Sequence, residues 1–193
     1  MIDKMCRICN KKTSVEILNF GKQPIVHDLQ KNKNFNYKKF EFNLGACKEC
    51  NFLSLMNPIN PEILYQNYFT ISSWKFQPHT SRLIELMKQI LGMNKETKIL
   101  DIGCNDGSFL EELIDQGMQN IKGVEPTLDA YNLCLKKKLD VENSFFPTSN
   151  TKKNEYDIIV FRQVLEHIID LDTFVFGVKE ALKNDGSIVI EIP

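Results

Sequence analysis

Two sets of residues have types and spacings that could do chemistry. The first is Cys6-Arg7-Ile8-Cys9, answered by Cys47-Lys48-Glu49-Cys50. Two C-x-x-C knuckles bring four soft thiolates within reach of one tetrahedral ion, and zinc suits that donor set. Four cysteines close the coordination shell and leave no position for water or substrate, so the site is expected to be structural. The competing reading is a set of unrelated buried thiols. The second set is Asp101-Ile102-Gly103-Cys104-Asn105-Asp106-Gly107, with Glu125 further on. Gly103 and Gly107 let the backbone approach a ligand, and amides at the start of a helix favour an electron-rich group there. Glu125 can accept both hydroxyls of a ribose.

The elements around the second set follow from apolar spacing. Ile99, Leu100 and Ile102 predict a buried strand that ends beside Asp101 and runs into a tight loop. Ser108, with Glu111 three residues on, reads as a capping box, and Phe109, Leu110, Leu113 and Ile114 share a helical face that stops at Gly117. Ile121 to Val124 predict the next strand, closed by Glu125 and Pro126. Strand, glycine loop, helix and strand with a distal acid form the ground plan of a nucleotide-handling crossover. A dinucleotide fold wants G-x-G-x-x-G, whose last glycine lets the helix pack closely beside a pyrophosphate; here the bulky Phe109 follows the loop. The pattern D-x-G-x-N-D-G with Glu125 after the next strand instead resembles the S-adenosylmethionine loop of Rossmann-like methyltransferases.

Taken in order, the chain opens with the knuckles and what lies between them. Phe20 to Ile25 read as a turn and Phe40 to Leu44 as a half-buried strand, in an annex with room for a small β meander that ends near Pro58 or Pro61. His27 is a spare candidate ligand. Residues 63–79 carry Tyr65, Tyr68, Phe69, Trp74, two serines and His79 without a sustained period, and they either line a pocket or form a linker packed on the core. A helix is expected over Thr80 to Leu91. Beyond Glu125, the spacing predicts a helix over Leu128 to Leu139 with Leu128, Tyr131, Leu135 and Leu139 inward. Its lysines, Lys136 to Lys138, are expected on a solvated face near the negative helix end. A third strand over Val141 to Phe146, a polar loop, a fourth strand over Tyr156 to Phe161, a helix over Leu171 to Leu182 and a fifth strand over Ser187 to Ile192 complete the pattern. His167 falls just beyond the fourth strand, at the edge where open α/β sheets bind ligands; it either faces a substrate or packs a helix.

Length and composition bound the answer. The 193 residues allow one sizeable core and a small annex, 42% hydrophobic and 25% charged residues are those of a globular protein, and a net charge of −1 gives no general attraction to nucleic acid or anionic membrane. No apolar run approaches the ~20 residues of a membrane span, and the amino terminus lacks a signal core, so a cytoplasmic setting is expected. The last strand, with Ile188, Val189, Ile190 and Ile192, is built to be covered, so a missing domain or a partner chain is expected on that edge.

The tandem order of these features carries a resemblance over nearly the whole chain. A double C-x-x-C annex, a Tyr/Ser-rich linker ending in His, the D-x-G-x-N-D-G loop, G-V-E-P, V-L-E-H and a closing E-I-P together resemble the sugar C-methyltransferases that act on nucleotide-linked keto-deoxysugars. The resemblance implies an α/β fold, a Rossmann-like class I methyltransferase sheet with its first five strands, and a small N-terminal zinc-binding β annex. It divides the chain into a zinc-binding domain (1–60), a linker and helix (61–97) and an S-adenosylmethionine domain (98–193) truncated after the fifth strand, and leaves the family's carboxyl-terminal domain without a counterpart in this sequence. It implies that Asp101, Gly103, Cys104 through its backbone, Asn105, Gly107, Glu125 and Pro126 hold the cofactor. Phe145 or Phe146 would flank adenine, Gln163 would lie near the methionine part, and His167 and Tyr68 would face the substrate. Cys6, Cys9, Cys47 and Cys50 would bind the zinc. Two alternatives stay open: an O- or N-methyltransferase of the same plan, and a noncatalytic fragment that binds cofactor and zinc.

Overall fold

A computed structural model describes residues 4–11, 14–25, 37–64 and 79–193. The chain forms two compact units, Met1–Tyr68 with Ile169–Leu171, and Phe69–Ile168 with Asp172–Pro193.

The first unit holds an antiparallel meander of β1 (Ser14–Pro24), β2 (Lys39–Cys47) and β3 (Leu53–Leu55), in that order across the sheet. A short helix, α1 (Pro61–Leu64), follows. The expected turn over Phe20 to Ile25 is instead the end of β1, which absorbs the bend as a register shift between Asn19 and Lys22 and a positive φ of 68° at Gly21. The apolar alternation of β2 also faces the other way from the expectation. Asn43, Gly45 and Cys47 are buried while Phe42 is exposed, because Cys47 has to point at the other knuckle and strand period then fixes its neighbours. Asn43 is tolerated inside because its Nδ2 donates to Glu16 Oε2 at 2.6 Å.

The second unit is an open parallel sheet of order β6-β5-β4-β7-β8, made by β4 (Lys98–Ile102), β5 (Asn120–Val124), β6 (Val141–Glu142), β7 (Tyr156–Arg162) and β8 (Leu182–Glu191). The helices are α2 (His79–Leu91), α3 (Ser108–Asp115), α4 (Leu128–Lys136) and α5 (Leu171–Ala181). Strand order reverses at β4, which places a topological switch point at its carboxyl end. Two apolar clusters line the sheet. One gathers Ile84, Met87, Ile99, Phe109, Leu110, Leu113, Ile158 and Val160; the other gathers Leu100, Ile102, Val124, Ile159, Phe161, Phe174 and Val178.

Three expectations are corrected. Of the residues expected inward from α4, Tyr131 packs on the core and Leu139, just past the helix, is buried, but Leu128 and Leu135 stand exposed at 61% and 49% while Ala130 and Cys134 are buried, because the Cys134 thiol bonds Asn105 O at 3.1 Å and turns that face to the loop. The third strand pairs only over Val141 and Glu142, so Phe145 lies beyond it and is exposed, and Phe146 packs edge-on against Phe174 with centroids 5.7 Å apart. The residues between the expected last helix and fifth strand, Asn184-Asp185-Gly186 among them, are a bulge inside β8, where pairing jumps from Tyr156–Leu182 to Ile158–Ser187. Among the described residues no helix is long and apolar enough to cross a membrane.

Candidate cofactor loop and metal centre

In the first unit the four sulfur atoms of Cys6, Cys9, Cys47 and Cys50 all lie within 4.8 Å of one another. Cys6 Sγ is 3.6 Å from Cys50 Sγ, and Cys9 Sγ is 3.6 Å from Cys47 Sγ. A tetrahedron with Zn–S bonds of ~2.3 Å has S···S edges of ~3.8 Å, so the donor set fits zinc in both chemistry and size. The two knuckles are built alike. Asn10 N–H donates to Cys6 O at 3.0 Å and Asn51 N–H to Cys47 O at 2.9 Å, and both asparagines adopt left-handed backbone, with φ of 57° and 60°. The repeated unit is therefore C-x-x-C-N, in which asparagine supplies the turn that a β-branched residue would resist. His27 lies outside the described residues.

In the second unit β4 delivers Asp101 to the carboxyl edge of the sheet, and the following loop folds back under Glu125. Every backbone N–H from Gly103 through Ser108 is already engaged. Gly103 and Cys104 donate to Val124 O at 2.8 and 3.2 Å, and Gly107 donates to Cys104 O at 3.0 Å. Asn105 donates to Glu125 Oε2 at 2.8 Å, Asp106 to Asn105 Oδ1 at 2.8 Å, and Ser108 to Asp106 Oδ1 at 3.1 Å. The expectation of loop amides waiting for an electron-rich group is thus corrected. What the loop keeps in reserve are acceptors: Asp101 Oδ2 and Asp106 Oδ2 are buried without a hydrogen-bond partner. A pyrophosphate needs donors, whereas this loop suits a ligand that brings N–H and O–H groups or positive charge.

The helix start is also built differently from the predicted capping box. Gly107, not Ser108, takes the cap position, in left-handed backbone and without a side-chain cap bond, while Asp106 Oδ1 accepts both the N–H of Ser108 and, at 2.7 Å, the Ser108 hydroxyl. Glu111 pairs with Lys137 at 2.7 Å, and Lys137 Nζ also donates to Asp106 O at 2.8 Å. Lys137 therefore clamps the loop to α3 instead of lying on a solvated face; Lys136 and Lys138 are exposed as expected. Gly107 has φ +77°, and a Cβ there would stand 2.3 Å from Leu139 Cδ1. Cys104 is buried against Gly123 and contributes no side chain to an open face. Its thiol is held protonated by its hydrogen bond with Cys134 and by burial.

Glu125 is buried, and its carboxylate binds Asn105 N–H, Thr127 N–H at 2.8 Å and the Thr127 hydroxyl at 2.5 Å. Burial raises its pKa while these bonds pull it back. A carboxylate offers about four acceptor positions, and three are taken, so gripping both hydroxyls of a ribose requires Thr127 to yield. Asn143 Nδ2 donates to Glu125 O at 2.8 Å and Pro126 O at 3.1 Å, pinning the strand end. Asp101 is pushed up to about 7 by burial, moderated by the positive charge of Arg162 and reinforced by the negative charge of Glu125.

Along the same edge, Gln163 adopts φ +55° and is tied to Glu191 twice, through its backbone N–H to Glu191 O at 2.8 Å and through Nε2 to Oε1 at 3.3 Å. His79, at the head of α2, reaches the same Glu191 Oε1 with Nε2 at 3.7 Å. His167 sits in a 3₁₀ turn just after β7, with Nε2 3.9 Å from Glu166 Oε1 and its side chain 38% exposed. The structure thus gathers Asp101, Gly103, Cys104, Asn105, Gly107 and Glu125 into one loop cluster. It leaves Phe145 exposed and commits Phe146 to the Phe174 contact, while Tyr68 and the aromatic stretch 65–78 lie outside the described residues. Sequence reasoning missed Asp106 as the acceptor at the helix start, Thr127, Lys137, Asn143, Arg162 and Glu191. Of these only Thr127 left a signal, standing where a helix cap is expected after E-P.

An open parallel sheet with an acceptor-lined loop at its switch point and an acid closing the neighbouring strand defines a class I, S-adenosylmethionine-dependent methyltransferase. Residues 73–193 match the family described as "Methyltransferase domain" and residues 6–65 the family described as "Putative zinc binding domain". The chain belongs to the methyltransferase family, with zinc and S-adenosylmethionine as its cofactors, and the pairing of the two domains fits the sugar C-methyltransferases. It is 22% identical to the C-methyltransferase NovU of Streptomyces niveus over 97% of this chain and 47% of the relative. It is 34% identical to the human mitochondrial ubiquinone biosynthesis O-methyltransferase over 53% of this chain and 29% of the relative. The chain spans about half the length, or less, of these curated relatives. Among solved structures, a "putative s-adenosyl-l-methionine-dependent methyltransferase" of Methanococcus maripaludis shares the fold at TM-score 0.57 and 20% identity, covering 62% of this chain and 58% of that one. An N-methyltransferase of Haemonchus contortus, solved with S-adenosylhomocysteine, does so at TM-score 0.52 and 19% identity, covering 56% of this chain and 27% of that one.

Proposed function

We propose that the protein transfers a methyl group from S-adenosylmethionine to a carbon beside a ketone, on a nucleotide-linked keto-deoxysugar. The observation that carries this reading over its rivals is the reach of the similarity. The match to the C-methyltransferase takes in 97% of the chain, zinc knuckles included, whereas the matches to ubiquinone O-methyltransferases take in about half. The cofactor, when bound, supplies an electrophilic methyl group on a sulfonium.

In this reading Asp101, Asn105, Gly107 and Glu125 hold the cofactor over the loop, Glu125 taking the ribose after releasing the Thr127 hydroxyl. Pro126 and Phe145 border the adenosine side, with Phe146 buttressing from beneath, and Gln163 with the backbone of Gly103 and Cys104 shapes the methionine side. His167 and Tyr68 face the acceptor and handle the proton that leaves the carbon. A nucleotide sugar as acceptor and a partner segment over the β8 edge, where Ile188 and Ile190 stand 45% and 50% exposed, belong to the same proposal.

The test is product analysis with methyl-labelled donor and a ketosugar nucleotide deuterated beside the ketone. Label on carbon with loss of that deuterium is expected. Label on oxygen with the deuterium retained points to the O-methyltransferase reading, and donor binding without turnover points to a noncatalytic fragment. His167→Ala is expected to lower the methylation rate at least tenfold without changing S-adenosylhomocysteine affinity.

A further inference from the structure

A residue with a side chain seldom adopts left-handed backbone, and it stays there only where its surroundings enforce it; such outliers gather at functional sites. Gln163 is one, with φ +55°, directly after β7 at the carboxyl edge of the sheet. What enforces it is a single residue of the neighbouring strand. The β7–β8 ladder pairs Arg162 with Glu191, and one step further Gln163 N–H donates to Glu191 O at 2.8 Å while Gln163 Nε2 donates to Glu191 Oε1 at 3.3 Å. His79 Nε2, from the head of α2, approaches the same Oε1 to 3.7 Å, so the carboxylate is held from both sides.

The bend at Gln163 leads straight to two contacts at the cofactor loop and its edge. Val164 follows and lies so close to Gly103 that a Cβ on that glycine would stand 2.6 Å from Val164 Cγ2. The 3₁₀ turn Leu165–His167 comes next, with His167 N–H donating to Val164 O at 2.9 Å. The backbone angles of Gln163 therefore set both where Val164 meets the loop and where His167 stands. If Gln163 relaxed to the extended or right-handed region, the chain would leave β7 in another direction and carry His167 with it.

We propose that Glu191 is a positioning residue for methyl transfer: through Gln163 it holds the 163–167 turn, and with it His167, against the cofactor loop. This rests on the reading that His167 faces the acceptor. Glu191 acts through the turn and not on a ligand, so its loss slows the chemical step and leaves the binding of donor product and acceptor largely intact.

The experiment combines steady-state methylation of the ketosugar nucleotide, calorimetry with S-adenosylhomocysteine and amide hydrogen exchange, all on the whole protein. In Glu191→Ala, kcat should fall about 10- to 100-fold, the range of a misplacement on the order of 1 Å, while acceptor KM and S-adenosylhomocysteine affinity change by less than about threefold. Exchange at His167 and Ile168 should quicken at least about tenfold. Glu191→Gln keeps an oxygen acceptor for Gln163 Nε2 and should stay within about threefold of wild type in kcat. Glycine adopts left-handed backbone without strain, so in a Gln163→Gly background the further effect of Glu191→Ala on kcat should shrink to about twofold or less. An unchanged kcat in Glu191→Ala, unaltered exchange of the turn, or an undiminished effect beside Gln163→Gly overturns the role of Glu191. A wild type that binds S-adenosylhomocysteine without turnover overturns the methyl-transfer reading, and the catalytic role of Glu191 with it, while exchange still decides whether Glu191 holds the turn. Should Glu191→Ala fail to fold, Gln163→Met removes the same side-chain bond from its other end and takes its place: unchanged kcat and exchange in that variant overturn the proposal.

Discussion

Asp101 carries a measurable consequence of being buried. Its pKa rises from an ordinary 3.8 to about 7, so between those values the native state keeps a proton that the unfolded chain has released. Stability contributed by the protonated group is complete below pH ~4, falls as pH rises through ~7, and changes no further above it. Urea midpoints at pH 5 and pH 7.5 should fall between the two for the wild type, and the fall should be smaller in Asp101→Asn. Lys137 makes a second test at this scale. Because its ammonium bonds both Asp106 O and Glu111, Lys137→Met is expected to cost ~1 kcal/mol, whereas Lys136→Met, on the exposed side of the same turn, should be neutral in the same denaturation assay. Gly107→Ala adds a Cβ to left-handed backbone and into Leu139, and should cost ~2 kcal/mol by urea denaturation.

Among the elements, the knuckles were legible from cysteine spacing, but their common turn was not. Asn10 and Asn51 read as ordinary polar residues until their positive φ values are seen. Asn51→Gly should retain zinc within a few-fold in chelator competition, and Asn51→Val should bind it about tenfold more weakly, since a β-branched side chain resists that conformation by ~1–2 kcal/mol. The strand–loop–helix–strand unit was legible for a related reason: β4 and α3 bury continuous apolar sets, and their periods are visible in the chain. The inward face of α4 and the length of β6 were not. Both depend on tertiary packing: the Cys134 thiol bonds Asn105 O and turns the Ala130–Cys134 face to the loop, and β6 pairs with β5 only over Val141 and Glu142.

For the whole molecule, each unit has an interior of its own, one organised by four sulfurs and the other by two apolar clusters. Small units poor in buried apolar surface draw their folding energy from the metal. A strong zinc chelator should therefore abolish hydrogen-exchange protection in β2 and β3 while β4 and β7 keep theirs, and S-adenosylhomocysteine should still bind. Loss of protection in both units, or in neither, would show that the metal is not what organises the first.

The order of motifs along the chain determined the class of fold, the metal donors and the loop that meets the cofactor, because cysteine spacing, glycine placement and apolar period are local properties that any compact arrangement has to respect. Which atoms are left over for a ligand was decided only by the tertiary structure. The loop amides look free in sequence, but the Val124 carbonyl of strand β5, the Cys104 carbonyl and the side chains of Glu125, Asn105 and Asp106 take those of Gly103 to Ser108, and the atoms left unpaired there are the buried acceptors of Asp101 and Asp106. Arg162 lies over Phe109 through helix packing and shares a sheet face with Asp101 through register, placements made across 53 and 61 positions of chain that no local pattern encodes.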